Sequence, residues 1–112
     1  MKTSEIRFHI ELDDENVPEK LFWSATDSSN GSLEEAKAIN VSIWDHRRKE
    51  TLRIDLWAKD MPVDEMKRLA VDTLGSMAQT IRTATDDGLM AAKMEDLCTW
   101  MMEHIRREHS NK

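Results

Sequence analysis

The fold is decided by two short segments, INVSIW at residues 39–44 and TLRIDLW at residues 51–57. In both, aliphatic residues alternate with polar or aromatic ones, which is the pattern of a β-strand with two different faces. The intervening run DHRRKE at residues 45–50 is typical of a turn. If Trp44 pairs with Thr51, both aliphatic sets fall on one face. The two segments therefore predict an antiparallel hairpin.

The other face of this predicted hairpin is polar and aromatic. It carries eight side chains, those of Ala38, Asn40, Ser42, Trp44, Thr51, Arg53, Asp55 and Trp57. Large rings outside an aliphatic core are typical of contact surfaces, where tryptophan and arginine often dominate the binding energy. We therefore predict that Trp44, Arg53, Asp55 and Trp57 contact a protein partner. The alternative is that a bulge, a covering loop or the following chain shelters the two rings.

Two further strands are predicted before this hairpin. Residues 5–13 alternate strictly between apolar and polar side chains, and the alternation resumes at residues 21–25 after a turn-forming run at residues 13–18. Residues 26–32 are rich in Asp, Ser, Asn and Gly, which predicts a surface loop. The pattern at residues 32–35 matches a capping box, which is compatible with a helical turn before the next strand.

After Pro62 the hydrophobic period changes from two to about 3.6, which predicts a helix. Its apolar stripe contains Met66, Leu69, Ala70, Leu74, Met77, Ala78 and Ile81. Gly88, which tolerates the left-handed conformation, is expected to end this helix. A second stripe contains Met90, Met94, Leu97, Cys98, Met101 and Ile105. We predict an α+β fold, in which one four-stranded antiparallel sheet carries two C-terminal helices packed on one face as a two-layer sandwich.

Length and charge limit the possible functions. A chain of 112 residues without a visible linker or repeat fits one domain, so we predict a single domain over residues 1–112. A formal net charge of -6 disfavours nucleic acid and anionic lipid as partners. No apolar stretch is long enough for a membrane-spanning helix, so no membrane insertion is expected. Lys2 and Glu5 leave no room for an export signal, and the single cysteine, Cys98, favours a reducing compartment; we expect a cytoplasmic protein.

No residue pattern indicates a catalytic, cofactor-binding or metal-binding centre. His104 and His109 are five residues apart and therefore lie on different sides of a helix, which disfavours zinc. Asp55, Arg53 and His9 are candidates for an acid/base set, but charge pairs are common on sheet faces. We therefore predict a protein that is not an enzyme and binds no cofactor or metal.

The turn between the two deciding segments contains four consecutive basic side chains, at residues 46–49. A basic cluster at a hairpin tip either contacts an acidic partner or a phosphate, or is simply hydrated. The residues alone leave these interpretations open.

Five segments carry a resemblance to a known family. They are MKTSEI at residues 1–6, VPEK at residues 17–20, WSATD at residues 23–27, KETLRIDLW at residues 49–57 and KDMPVDEM at residues 59–66. They resemble the gliding motility protein GldC family over nearly the whole chain, with the second helix matched more loosely. The resemblance implies a small soluble accessory protein of the bacterial gliding machinery, with other motility components as partners. No catalytic motif accompanies this family, so the resemblance implies no active-site residues.

Two alternatives to a protein-binding accessory role stay open at this point. The sheet and helices would form a small-ligand-binding module or an unrecognised enzyme if they enclosed a pocket. The polar and aromatic side chains of the hairpin would instead form a homodimer if two copies met through them.

Overall fold

A computed structural model describes residues 1–27 and 32–110. Five strands come first in the chain: β1 (Ile6–Leu12), β2 (Pro18–Ala25), β3 (Glu34–Ala36), β4 (Ala38–Trp44) and β5 (Thr51–Trp57). Two helices follow, α1 (Val63–Thr85) and α2 (Gly88–Ser110). The chain forms two compact units, a strand unit at Met1–Met61 and a helical unit that begins at Pro62. The α+β class and the two C-terminal helices are confirmed, whereas the single domain over residues 1–112 stays a prediction.

The strands form two antiparallel sheets, so the predicted single four-stranded sheet is wrong. One sheet has the order β1-β2-β3, and the other contains β4 and β5. The difference arises because Glu34–Ala36 pairs with β2 and occupies its second edge, where Ala36 lies opposite Leu21. Lys37 then separates β3 from β4, which starts the second sheet. The strand at residues 34–36 also replaces the helical turn suggested by the capping-box pattern.

The core of the three-stranded sheet is centred on Leu21, which is completely buried. Ile10 of β1 lies opposite it on one side and Ala36 of β3 on the other, so the apolar alternation of β1 and β2 meets on one face. The antiparallel pairing of β1 with β2 confirms the first predicted hairpin. The predicted loop at residues 26–32 lies partly outside the described residues.

The two-stranded sheet has the register predicted from the sequence. Trp44 lies opposite Thr51, and the pairing continues to Ala38 opposite Trp57. The aliphatic face is buried only near its base, because Ile39 is 8% exposed whereas Ile43 beside the turn is 49% exposed. The alternation along a strand assigns each residue to a face of the sheet but does not determine what covers that face. The expected burial of the whole aliphatic face is therefore wrong beside the turn. The packing of helices over a sheet face stays a prediction.

The residues directly after β5 join the two sheets. The backbone N–H of Ala58 donates to the carbonyl oxygen of Lys37 at 2.8 Å, and that of Lys59 donates to the carbonyl oxygen of Pro18 at 3.0 Å. The ammonium of Lys59 also lies 3.0 Å from a carboxylate oxygen of Asp13. The pKa of Asp13 is lowered, chiefly by the backbone N–H of Val17 and then by Lys59. Backbone and side-chain contacts thus hold the strand unit together.

The helices pack antiparallel along a narrow seam. Its residues recur at alternating spacings of three and four, as in a coiled coil, and are Val71, Leu74, Ala78, Ile81, Ala91, Met94, Cys98, Met101 and Ile105. Arg82 donates two hydrogen bonds of 3.0 Å to the Glu95 carboxylate near one end. Lys67 donates to Glu108 at 2.7 Å near the other. An apolar seam and two ion pairs therefore hold the two helices together.

The predicted helical stripes contain seven of the nine seam residues and leave out Val71 and Ala91. The fully buried residues of the two helices are Val71, Ala78 and Ala91. Met77 and Met90, which belong to the predicted stripes, are exposed. Hydrophobicity therefore identifies most of the seam, but it does not single out the small Ala91, which is completely buried.

The first helix ends in a left-handed residue, but that residue is Asp86 and not Gly88. Asp86 has a φ of 59°, and its N–H donates to the carbonyl oxygen of Arg82 at 3.2 Å. Gly88 instead begins α2. The Asp87 carboxylate accepts a hydrogen bond from the N–H of Met90 at 3.0 Å, which caps the start of that helix.

Candidate functional site

The β4–β5 register brings the four predicted partner-binding residues to one side of the sheet. Trp44 and Trp57 lie on the same face as Arg53 and Asp55, because all four positions share one strand parity in the observed pairing. We call the eight residues on this side, at positions 38, 40, 42, 44, 51, 53, 55 and 57, the polar-aromatic face. Trp44 is 64% exposed and Trp57 is 53% exposed. The two rings are therefore open to solvent, and their role in binding stays a prediction.

The two tryptophans stand at opposite ends of the polar-aromatic face. Trp44 ends β4 beside the turn, whereas Trp57 ends β5 opposite Ala38. Trp44 lies six positions beyond Ala38, and a strand rises about 3.3 Å per residue, so the backbone positions of the two tryptophans lie about 20 Å apart along the sheet. A partner that contacts both must present an extended surface of similar length.

Between the rings, Arg53 forms the centre of a hydrogen-bonded network. Its guanidinium donates to the Asp55 carboxylate at 2.6 and 3.3 Å and to the hydroxyl of Ser42 at 2.6 Å. The side-chain amide of Asn40 donates to the same carboxylate at 2.8 Å. Ser42 lies opposite Arg53 and Asn40 lies opposite Asp55. Arg53 and Asp55 are two positions apart on β5, so the register brings all four side chains together. The network fixes four polar side chains that would otherwise move independently.

This network also determines the ionisation of Asp55. Hydrogen bonds from Arg53 lower the pKa of Asp55, and Asn40 lowers it further, against the opposing effect of desolvation. The same pairing raises the pKa of Arg53. Both groups therefore stay charged at neutral pH and neither is poised to transfer a proton there. The arrangement suits recognition by fixed charges and amide dipoles better than acid/base chemistry.

His9 is not brought to this network. It lies on β1 in the other sheet, where its imidazole is 3.5 Å from the Glu11 carboxylate and its ring centroid 6.0 Å from that of Phe22. The candidate acid/base set of His9, Arg53 and Asp55 is therefore split between two sheets.

A groove adjoins the Trp57 end of the polar-aromatic face. It has a volume of about 430 Å³ and is lined by Val17, Pro18, Asp55, Leu56, Trp57 and Lys59. Val17 and Pro18 were not predicted to lie here, because they belong to the β1–β2 hairpin and no local sequence pattern links them to β5. Lys59 is held in place by its ion pair with Asp13, which is 46 positions away in the chain.

The basic turn is an ordered structure with exposed side chains. The Asp45 carboxylate accepts backbone hydrogen bonds from Arg47 at 3.1 Å and Arg48 at 2.6 Å. Lys49 closes the turn with a φ of 57°, a left-handed value that is unusual for a residue with a side chain. The side chains of Arg47, Arg48 and Lys49 are exposed. This geometry fits a binding element and a hydrated turn equally well, so both interpretations stay open.

Two further side chains with reactive groups, those of Cys98 and His104, lie on α2. The Cys98 thiol is half-buried in the helical seam, 3.7 Å from the carbonyl oxygen of Val71, as its place on an apolar stripe predicts. The imidazole of His104 stacks on the indole of Trp100, with ring centroids 5.1 Å apart. Among residues 1–27 and 32–110, no group of three or more His, Cys, Asp or Glu side chains is arranged to hold a metal ion.

In the described part of the chain, neither α1 nor α2 contains a stretch long and apolar enough to cross a bilayer.

Comparison with known proteins gives a match to a protein family. The family model described as "Gliding motility-associated protein GldC-like" matches residues 18–107, which include β2 to β5, α1 and most of α2. No curated protein and no solved structure matches the chain. The family match covers well over half of the sequence and includes the whole polar-aromatic face. The chain therefore belongs to the GldC-like family of gliding motility-associated proteins.

Proposed function

We propose that this chain is a non-enzymatic accessory protein of the gliding motility machinery, which binds another motility component through its polar-aromatic face. The association with gliding motility follows from the family. The binding role is supported by one observation above all, the exposure of Trp44 and Trp57 at the two ends of an ordered polar network.

A partner gains binding energy at this face chiefly from the two tryptophan rings and Arg53. Burying an aromatic side chain removes about 150–250 Å² of surface, and tryptophan and arginine are over-represented among residues that dominate binding. Because Arg53 is already held by Asp55 and Ser42, little side-chain entropy is lost when a partner contacts it. Two anchors around a pre-ordered centre make this face suitable for a protein surface or an extended segment.

The double variant Trp44→Ala with Trp57→Ala tests this proposal. Both rings are more than half exposed, so we expect the variant to keep its fold, as judged by circular dichroism and thermal unfolding. Affinity purification from a gliding bacterium, followed by mass spectrometry, should recover a motility component with the unaltered protein and lose it with the double variant. Leu89→Ala removes a strongly exposed apolar side chain elsewhere, on α2, and is the matched control.

Two outcomes would contradict the proposal. One is recovery of the same motility component by the double variant and by the unaltered chain. The other is unfolding of the double variant, which would mean that the rings support the strand unit and are not a free surface. Leu89→Ala should leave both the fold and the recovery unchanged.

A second candidate function is the binding of a small molecule in the groove beside Trp57. Its volume of about 430 Å³ lies within the usual range for small-ligand sites. A thermal-shift screen of metabolites distinguishes this function, because a ligand at about 100 times its dissociation constant adds about 2.7 kcal/mol of stability. A large shift that is lost in Trp57→Ala would favour the ligand over the protein partner.

We also propose that the protein acts in the cytoplasm. The single cysteine supports this location because a reducing compartment leaves a lone thiol unmodified. Fractionation of gliding cells with an antibody against the chain tests it.

A further inference from the structure

One edge of β4 carries a row of backbone groups that the β4–β5 pairing does not use. In the described residues, β4 pairs with β5 alone. The N–H of Asp45 donates to the carbonyl oxygen of Glu50 at 2.9 Å, and the N–H of Ala58 donates to that of Lys37 at 2.8 Å. These bonds flank the ladder at its two ends, so the odd-numbered residues of this strand point towards β5. The N–H and C=O groups of residues 38, 40, 42 and 44 therefore point away from it, where a further strand can add.

β4 also lacks the features that usually prevent edge-to-edge pairing. Edge strands are protected by charged side chains, prolines and bulges. β1, at the edge of the other sheet, contains Arg7, His9 and Glu11 and has a register shift at its end. β4 has neither a charged residue nor a proline, and it pairs without a register shift. Among the five strands of the described chain, it is the only one without a charged side chain. Since a sheet of two strands is marginally stable in water, a third strand on this edge would stabilise it.

The sequence of β4 is complementary to itself. When two copies of the strand pair antiparallel about Val41, each of the seven residues has an opposite residue. The opposite pairs are Ala38 with Trp44, Ile39 with Ile43, Asn40 with Ser42, and Val41 with its own equivalent. Aliphatic side chains then meet aliphatic ones on one face, and the outward backbone groups of residues 38, 40, 42 and 44 bond to one another. Ile43, which is 49% exposed, gains an apolar neighbour.

The charged segments on either side of β4 identify the added strand as a second copy. Glu34 and Glu35 of β3 lie just before β4, and the basic turn at residues 46–49 lies just after it. In the antiparallel pairing, the end of one β4 lies beside the start of the other. The basic turn of each copy therefore comes next to the two glutamates of the other, and the side chains of Glu34, Glu35, Arg47 and Arg48 are all exposed. Two-fold symmetry repeats this contact between opposite charges at both ends of the paired strands.

We propose that two copies of the chain associate through their β4 edges, as a two-fold symmetric dimer with a continuous four-stranded sheet in the order β5-β4-β4-β5. The same edge of each copy meets its equivalent, so the contact closes after two copies. The added strand lies in the plane of the sheet, which leaves the polar-aromatic face accessible. The dimer does not depend on the binding of a motility component, because it is measured on the purified chain alone.

Sedimentation equilibrium of the full chain over a range of concentrations should show a mass that rises from one chain to two. Val41→Lys places two like charges about 5 Å apart across the symmetry axis, so the dissociation constant should rise at least about 100-fold. Val41→Glu should have the same effect. An equimolar mixture of the two variants should restore the dimer, because lysine then lies opposite glutamate.

A disulfide tests the register directly. In a Cys98→Ser background, Val41→Cys carries the only thiol of the chain. Opposite residues of an antiparallel pair have Cβ atoms about 4.5–5.5 Å apart, which is close to the separation in a disulfide, so mild oxidation should give a covalent dimer. Thr51→Cys in the same background is the control, since β5 lies three strand spacings, about 14 Å, from its equivalent. This control should not form the covalent dimer.

Charge reversal tests the contact between the basic turn and β3. Glu34→Lys with Glu35→Lys should weaken the dimer about tenfold or more, because the turn of the other copy then meets like charges. Asp14→Lys with Glu15→Lys makes the same change of net charge at the β1–β2 turn and should leave the dimer unchanged.

Several outcomes overturn the proposal. A monomer at every concentration does so, and so does an assembly that grows beyond two copies, because the β4 contact closes. A dimer that is retained in Val41→Lys but lost in Trp44→Ala with Trp57→Ala would show that copies meet through the polar-aromatic face. If circular dichroism shows that the charged variants do not fold, the milder Val41→Cys decides: no more covalent dimer than in Thr51→Cys refutes the pairing.

Discussion

Replacing Gly75 with alanine should stabilise the protein, although Gly75 of α1 lies beside the seam and close to Cys98 of α2. Glycine inside a helix costs about 1 kcal/mol relative to alanine. A Cβ at this position would lie 3.9 Å from the Cys98 sulfur, which is an ordinary van der Waals contact, so no clash offsets this gain. We expect Gly75→Ala to raise the free energy of unfolding by about 1 kcal/mol, which corresponds to an increase of about 4 °C in Tm.

Thermal and urea unfolding followed by circular dichroism measure this change. Gly88→Ala is the control, because no atom lies within 4 Å of the Cβ it would add. As Gly88 is the first residue of α2, its substitution should change the stability by less than about 0.5 kcal/mol. A lower Tm for Gly75→Ala would refute the reasoning, since it would mean that the two helices approach more closely at Cys98 than the structure shows.

Two further variants test the turn after α1 and the network on the polar-aromatic face. Asp86→Gly should raise the free energy of unfolding by about 0.5–1 kcal/mol in urea titrations, because glycine adopts the observed left-handed conformation without steric cost; a loss of stability would contradict this. Asp55→Asn should lower the urea midpoint at pH 7 and much less at pH 3. Because Arg53 lowers the pKa of Asp55 from 3.8, the carboxylate contributes stability above about pH 4 and loses it as the pH falls through the folded-state pKa. A difference between the two proteins that does not depend on pH would show that the charge of Asp55 is not what stabilises the sheet.

The β4–β5 sheet was predictable because its sequence contains two kinds of information that agree. The alternation in both segments defines the faces, and pairing Trp44 with Thr51 is the register that joins the aliphatic sets, as observed. The placement of Trp44, Arg53, Asp55 and Trp57 on one side followed directly from that register. Their exposure did not, because alternation contains no information on what lies above a sheet.

Other features were not predictable for physical reasons. The third strand, Glu34–Ala36, has three residues, two of them glutamates with low strand propensity, and its existence depends on the free edge of β2. The predicted stripes left out Val71 and Ala91, which are buried, and included Met77 and Met90, which are exposed, because a period of about 3.6 does not determine where the centre of a stripe lies. The ion pair between Asp13 and Lys59 depends on tertiary structure alone.

The backbone hydrogen bonds of Ala58 and Lys59 have a consequence for how the strand unit opens. The first bond is made to the segment between β3 and β4, and the second to the start of β2. The first bond thus extends the β4–β5 pairing by one residue, whereas the second bond and the Lys59–Asp13 ion pair link two sheets that share no strand. Detachment of the smaller sheet from the larger one therefore breaks both the Lys59–Pro18 backbone bond and the Lys59–Asp13 ion pair. These contacts disfavour the unfolding of one sheet without the other. The strand unit should therefore open as one cooperative element.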